Sequence, residues 1–188
     1  MIIFFGPAGA GKSVQGQMLA ARHEWRWLST GHMFRNSQDP EVHKILATAE
    51  LISDEKTYQV VEEALENSKD FDHLIIDGFP RTMHQAQWLM DSKNKLGREV
   101  AMVVVLEVPE SEILKRLEVR GRAQDKPDII ARRMNIYRRE MYPVLGYFAE
   151  QGIKIVHIDG TGSVGGVHDR IQLELNATED LVPDVATA

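Results

Sequence analysis

Five short apolar runs separated by helical stretches predict an α/β domain, a five-stranded parallel sheet with helices on both faces. Three observations carry that expectation. Ile2 to Phe5 is a continuous apolar run, too short for a buried helix and right for a central strand. Gly6 to Ser13 follows at once with the spacing G-x-x-x-x-G-K-S of a phosphate-cradling turn. Four more runs, Trp25 to Ser29, His73 to Asp77, Val100 to Leu106 and Ile153 to Ile158, are set apart by stretches of helical pattern. Strands joined through helices pair in parallel, and ligands then sit at the strands' carboxyl ends.

The turn at Gly6 is spelled as its chemistry requires. Gly6, Gly9 and Gly11 permit backbone angles that a side chain disfavours, so successive N–H groups converge on one anion. A helix predicted from Gln15 to Arg22 aims its positive end at the same anion. Lys12 reaches the β- and γ-phosphates of a nucleotide, and the Ser13 hydroxyl suits Mg²⁺. Strand, turn, Lys-Ser and helix in that order define a nucleoside triphosphate site.

Further along, the pattern turns helical at His32, breaks at Asp39-Pro40 and resumes from Glu41 to Glu50. Ser53, with acids after it, caps a helix to about Asn67. Thr82 to Lys95 reads as helix, and Pro109-Glu110 opens another from Ser111 to Arg120. Gly121 to Pro127 is a loop. Asp128 to Gln151 is helical, with Pro143 expected to kink or interrupt it. A glycine-rich turn from Asp159 to Gly166 leads into a last helix, Val167 to Asn176. The chain is thus read as one domain, 1–176, with a flexible acidic tail at 177–188.

Composition removes several function classes. The 188 residues include no cysteine, which excludes a disulfide framework and a thiolate zinc site and fits a reducing, cytoplasmic setting. No apolar stretch approaches the ~18 residues that cross a membrane, and Met1 runs straight into the first strand, so neither a membrane partner nor a signal peptide is expected. A net charge of −6 argues against nucleic acid as a partner. Yet Lys115 to Arg139 carries nine Lys or Arg against three acids, a basic island suited to one polyanionic ligand.

Three further motifs follow in chain order: Ser29-Thr30-Gly31-His32-Met33-Phe34-Arg35, Asp77-Gly78-Phe79-Pro80-Arg81-Thr82, and the arginines around Gly121. With the loop at Gly6 and Asp159-Gly160-Thr161, they closely resemble the adenylate kinases, within the nucleoside monophosphate kinase family. The likeness runs from Met1 to about Leu175. It implies a three-layer P-loop NTPase fold with a small acceptor-binding insertion at about 31–60 and a short lid at about 121–127. It also implies a monomer that moves a phosphoryl group reversibly from ATP to AMP, giving two ADP, with Mg²⁺ and no structural zinc.

The resemblance assigns roles residue by residue. Gly9, Ala10, Gly11, Lys12, Ser13, Val14, Arg116, Arg120 and Gly162 would bind ATP. Thr30, Arg35, Leu51, Ile52, Gly78, Arg81 and Gln85 would bind AMP, with Thr30 and Gln85 favouring adenine as the acceptor base. Lys12, Arg81, Arg122 and Arg133 would be catalytic, Asp125 would tie the lid to an arginine, and Ser13 and Asp77 would hold the metal, Asp77 through water. The chemistry is consistent. Arg35 and Arg81 follow two different strands and can clamp one small anion by paired hydrogen bonds. Arg122 and Arg133 flank the lid and can neutralise the transferring group, where fixed positive charge is most of catalysis.

The sequence also departs from that family. His32 stands where Asp is usual, either as a tolerated exchange or as a contact to the phosphate itself. Ser13-Val14 replaces Gly-Thr, the segment between Arg35 and Leu51 is several residues shorter, Ala49 replaces a glycine, and Gln124 replaces an acid. Two other readings stay open at this level. One is a UMP/CMP kinase. The other is a nucleotide-binding regulatory module or an ATPase lacking an acceptor.

Overall fold

The computed structural model describes residues 1–48, 50–122 and 125–178. The expected strands form as β1 (Ile2–Phe5), β2 (Arg26–Ser29), β3 (Leu74–Asp77), β4 (Met102–Glu107) and β5 (Lys154–Asp159). They pair in parallel throughout, in the order β2-β3-β1-β4-β5, which puts β1 at the centre. The pleat explains why the central runs are apolar at every position. Ile3, Phe5, Val103 and Val105 face one layer with Leu65, Leu89 and Phe148. Ile2, Phe4, Val104 and Leu106 face the other, against Leu19, Ile171 and Leu175.

Around the sheet run α1 (Lys12–His23), α2 (Thr30–Arg35), α3 (Pro40–Ala47), α4 (Asp54–Glu66), α5 (Met83–Asp91), α6 (Lys93–Leu96), α7 (Glu110–Arg120), α8 (Pro127–Glu150) and α9 (Val164–Asn176). The residues above place α1 and α9 on one face and α4, α5 and α8 on the other. This is the three-layer α/β arrangement expected. Its register matters for function: Phe4 of β1 and Ser29 of β2 both lie opposite Asp77 of β3. The turn after β1, the turn after β2 and the Asp77 carboxylate therefore meet at one edge of the sheet.

Several helix limits differ from expectation, each for a local reason. The first helix starts at Lys12, three residues before Gln15, so Lys12 and Ser13 are themselves helical. The stretch expected to reach Glu50 stops at Ala47, where the Thr48 hydroxyl donates to the Ile45 carbonyl. The helix expected over Thr82 to Lys95 divides at Ser92, and its short second piece ends on Gly97 in the left-handed region. Pro143 does not interrupt α8, which runs as 24 residues through it. Both Pro143 and Arg139, whose carbonyl loses its N–H partner, are exposed, so water can satisfy the freed group. Finally, α9 begins at Val164, because the Ser163 hydroxyl caps it by accepting from Gly166 N–H. Ala49, Gln124 and most of the predicted tail lie outside the described residues.

Candidate active site

A cavity of about 570 Å³ opens at the carboxyl ends of the strands, and the turn at Gly6 forms its floor. The backbone there needs glycine. At Gly9 φ is +90°, and a Cβ would approach Leu117 Cγ to 3.0 Å. The Lys12 ammonium folds back over this turn, donating to the Gly6 carbonyl at 2.7 Å and the Pro7 carbonyl at 2.9 Å. Beside it the Ser13 hydroxyl donates to Asp77 Oδ2 at 2.6 Å, and the Ser29 hydroxyl reaches the same oxygen at 3.3 Å.

Those oxygens suit a hard cation. Among the described residues no group of three or more His, Cys, Asp or Glu side chains could hold a metal. A hydroxyl and one carboxylate next to a phosphate loop are what Mg²⁺ requires, since it keeps water and phosphate oxygens for its remaining positions. The donor set fits.

Opposite stand the guanidiniums. Arg35 from α2 and Arg81 from the turn after β3 meet over Gly31, where a Cβ would lie 3.1 Å from Arg35 Nη1 and 3.7 Å from Arg81 Nη2. Arg81 Nε also donates to the Gly78 carbonyl at 2.6 Å. After α7, Arg120 holds Asp125 by two hydrogen bonds of 2.8 and 2.5 Å, and the Arg122 N–H donates to that carboxylate at 3.1 Å. The arginine that Asp125 pairs with is thus Arg120. Arg133 is different. Its Nη1 lies 3.9 Å from Asp125, too far for a hydrogen bond, and is buried with no partner among the described residues.

Crowding like charges in a walled cavity has a cost that shows in proton affinity. Burial, then the charges of Arg81 and Arg120, lowers Arg133 to about 10, with Asp125 opposing. Burial leads the downward shifts of Arg35 and Arg81 too. For Asp125 burial pushes the carboxyl up, but the Arg120 hydrogen bond and neighbouring cations outweigh it and hold it low. Lys12 falls to about 8, through burial and the nearby arginines, against the pull of Asp77. An array of this kind suits a polyanion.

A family model described as "Adenylate kinase" matches residues 4–153. The chain is 36% identical to the adenylate kinase of Maricaulis maris, over 88% of this chain and 93% of that relative. It is 34% identical to that of Thermus thermophilus, over 93% of this chain and 96% of the relative. The chain belongs to the adenylate kinase family. The matched span holds the phosphate loop, the Asp77 motif and every arginine named above.

Other residues assigned by likeness to the adenylate kinase family divide into two groups. Val14, Leu51, Gly78, Arg116, Arg122 and Gly162 line the cavity, as do Ala10 and Gly11. Arg116 donates from Nε to Glu112 and from Nη2 to the Gly160 carbonyl, both at 2.9 Å. Thr30, Ile52 and Gln85 are buried behind the wall. The Thr30 hydroxyl donates to the Gly78 carbonyl at 2.8 Å. Gln85 accepts from the Arg81 N–H at 2.8 Å and donates to Asp54 at 2.7 Å. Ile52 packs with Phe34 and Val42. His32 is exposed, pairs with Asn36 at 2.9 Å and lies outside the wall.

Sequence reading missed Glu112 and Gln15 as wall residues, along with Tyr137 and Met141 of α8. Glu112 had a signal, since it precedes Arg116 by four residues on one helix face. Lys12 yields a prediction. Likeness to the family would make this ammonium the phosphate ligand, and deprotonation above about pH 8 would remove its charge from the free enzyme. kcat/KM for ATP should fall through about pH 8, while kcat, read on the phosphate-bound form, should stay level to higher pH. A flat kcat/KM profile to pH 9.5 would contradict this.

Proposed function

We propose that this chain transfers the γ-phosphoryl group of ATP to the phosphate of AMP, reversibly and with Mg²⁺, giving two ADP. One observation carries the reading. Lys12, Arg35, Arg81 and Arg133, from four separate segments, turn toward one cavity beside the Ser13–Asp77 pair. A phosphoryl transfer needs two anionic nucleotides end to end and fixed positive charge around the group in flight. The loop at Gly9 to Ser13 holds the donor phosphates, with Arg116, Arg120, Val14 and Gly162 beside the donor.

Arg35 and Arg81 clamp the acceptor phosphate and aim its oxygen at the γ-phosphorus, with Leu51 and Gly78 near the acceptor. Lys12, Arg81, Arg122 and Arg133 take up charge at the equatorial oxygens. Ser13 and, through water, Asp77 would hold Mg²⁺, which would supply charge neutralisation at the donor phosphates. Thr30, Ile52 and Gln85 shape the acceptor-base end from behind the wall, and their existing hydrogen bonds hold it rigid.

Acceptor choice tests the reading. At fixed ATP and Mg²⁺, AMP should exceed UMP and CMP in kcat/KM by roughly 10²-fold or more, the scale set by mismatched buried polar groups. A preference for UMP or CMP would overturn the base assignment. ATP turnover that ignores every acceptor would overturn the kinase reading.

A further inference from the structure

Gln15 is a wall residue to which the proposed reaction gives no role. It sits in the first turn of α1, two residues past Ser13, and is 3% exposed. Its Nε2 donates to the Val164 carbonyl at 2.9 Å, across 149 positions of sequence, at the start of α9. Its Oε1 is buried and has no partner among the described residues. The amide cannot be turned over, because Oε1 would then face the Val164 carbonyl, oxygen against oxygen. Stability alone does not account for this side chain. An apolar one of similar size would fill the space and leave no acceptor unpaired.

The bond joins two parts of the cavity that sequence keeps far apart. At one end lies the phosphate loop with Lys12 and the arginines. At the other the chain from Gly160 to Val164 forms the wall with Val14, Val167 and Arg116, apolar surfaces and a guanidinium plane suited to a flat base. Arg116 holds this segment at the Gly160 carbonyl, and Arg170 holds it at the Asp159 and Thr161 carbonyls, at 2.6 and 3.0 Å. Gln15 alone among these donors comes from the helix that continues the phosphate loop.

We infer that Gln15 is a positioning residue for the donor nucleotide, fixing the distance between the phosphate cradle and the segment that receives the donor base. The inference rests on the donor assignment above. Gln15→Met removes the amide and keeps the bulk. Gln15→Glu keeps the shape but sets an oxygen against the Val164 carbonyl.

Both variants should raise KM for ATP roughly three- to tenfold, the effect of one hydrogen bond. KM for AMP should not move. Neither should the affinity for inorganic tripolyphosphate, measured by calorimetry, since that probe has phosphates and no base. A parallel loss for tripolyphosphate, an equal rise in KM for AMP, or an unchanged KM for ATP in a folded variant would each overturn the inference. Should Gln15→Met fail to fold, Gln15→Glu decides by the same criteria; loss of folding in both would make the residue structural and overturn it as well. ATP titrated into the wild-type chain separates the two levels. No binding there would remove the donor site itself, whereas binding without the split removes the tether alone.

Discussion

Arg133→Met is expected to lower kcat by about 10³ to 10⁵ and to leave the melting temperature at or above that of the wild type. The two halves come from one feature. Nη1 of Arg133 is buried without a partner among the described residues, and burial beside Arg81 and Arg120 lowers the group to about 10. A cation left so poorly paired does not hold a fold together, and removing it relieves repulsion. Asp125 loses little, because Arg120 retains both hydrogen bonds to it. What would disappear, on the proposed reading, is a preorganised donor waiting for charge that arrives only with the transferring phosphoryl group. ADP formation from ATP and AMP, followed by a coupled assay beside a thermal melt, reads both quantities. A kcat within tenfold of wild type would take Arg133 out of the mechanism; a lower melting temperature would make it a structural residue.

The contrast between Arg133 and Gln85 shows what the sequence made legible. The sheet was readable because each strand is a short apolar run between helices, and β1 and β3 are buried on both faces, which admits no polar residue before Asp77. The phosphate loop was readable because its backbone angles demand glycine and its chemistry demands Lys and a hydroxyl. The gathering of the arginines around one cavity was readable, since their placement after separate strands brings them to one edge of the sheet.

Internal hydrogen-bond partners were not readable. The Gln85 amide bonds to Asp54 and to the Arg81 N–H, and the Thr30 hydroxyl to the Gly78 carbonyl. Nothing in a linear pattern tells an inward amide from an outward one. Gln15 had no signal at all, because a glutamine in a helix is an ordinary helix former and its partner is Val164, far along the chain. Helix ends failed where a cap decided them, as with Ser163 at α9, or where solvent could take up a lost bond, as with Pro143 in α8.

Lys12→Met should lower kcat by about 10² to 10³, the loss from one well-placed donor to developing charge, with the fold unchanged. In the structure the ammonium is held by two carbonyls of its own turn, Gly6 and Pro7, rather than by an acid. That arrangement keeps Lys12 at the cavity floor and leaves it free to exchange carbonyls for phosphate oxygens when a nucleotide enters. The turn does not depend on it: β1 and α1 anchor both ends, and the glycines set the angles between. Methionine therefore fills the stem's volume, withdraws one charge from a crowded array and stores no strain.

A second readout links this loss to the proton. If Lys12 causes the fall of kcat/KM for ATP near pH 8, that step should vanish in Lys12→Met, whose profile should stay level from pH 7 to 9.5. Persistence of the step would assign it to another group. Unchanged turnover at neutral pH would mean that the arginines alone carry the transferring charge, and that the lysine in this loop serves binding but not chemistry.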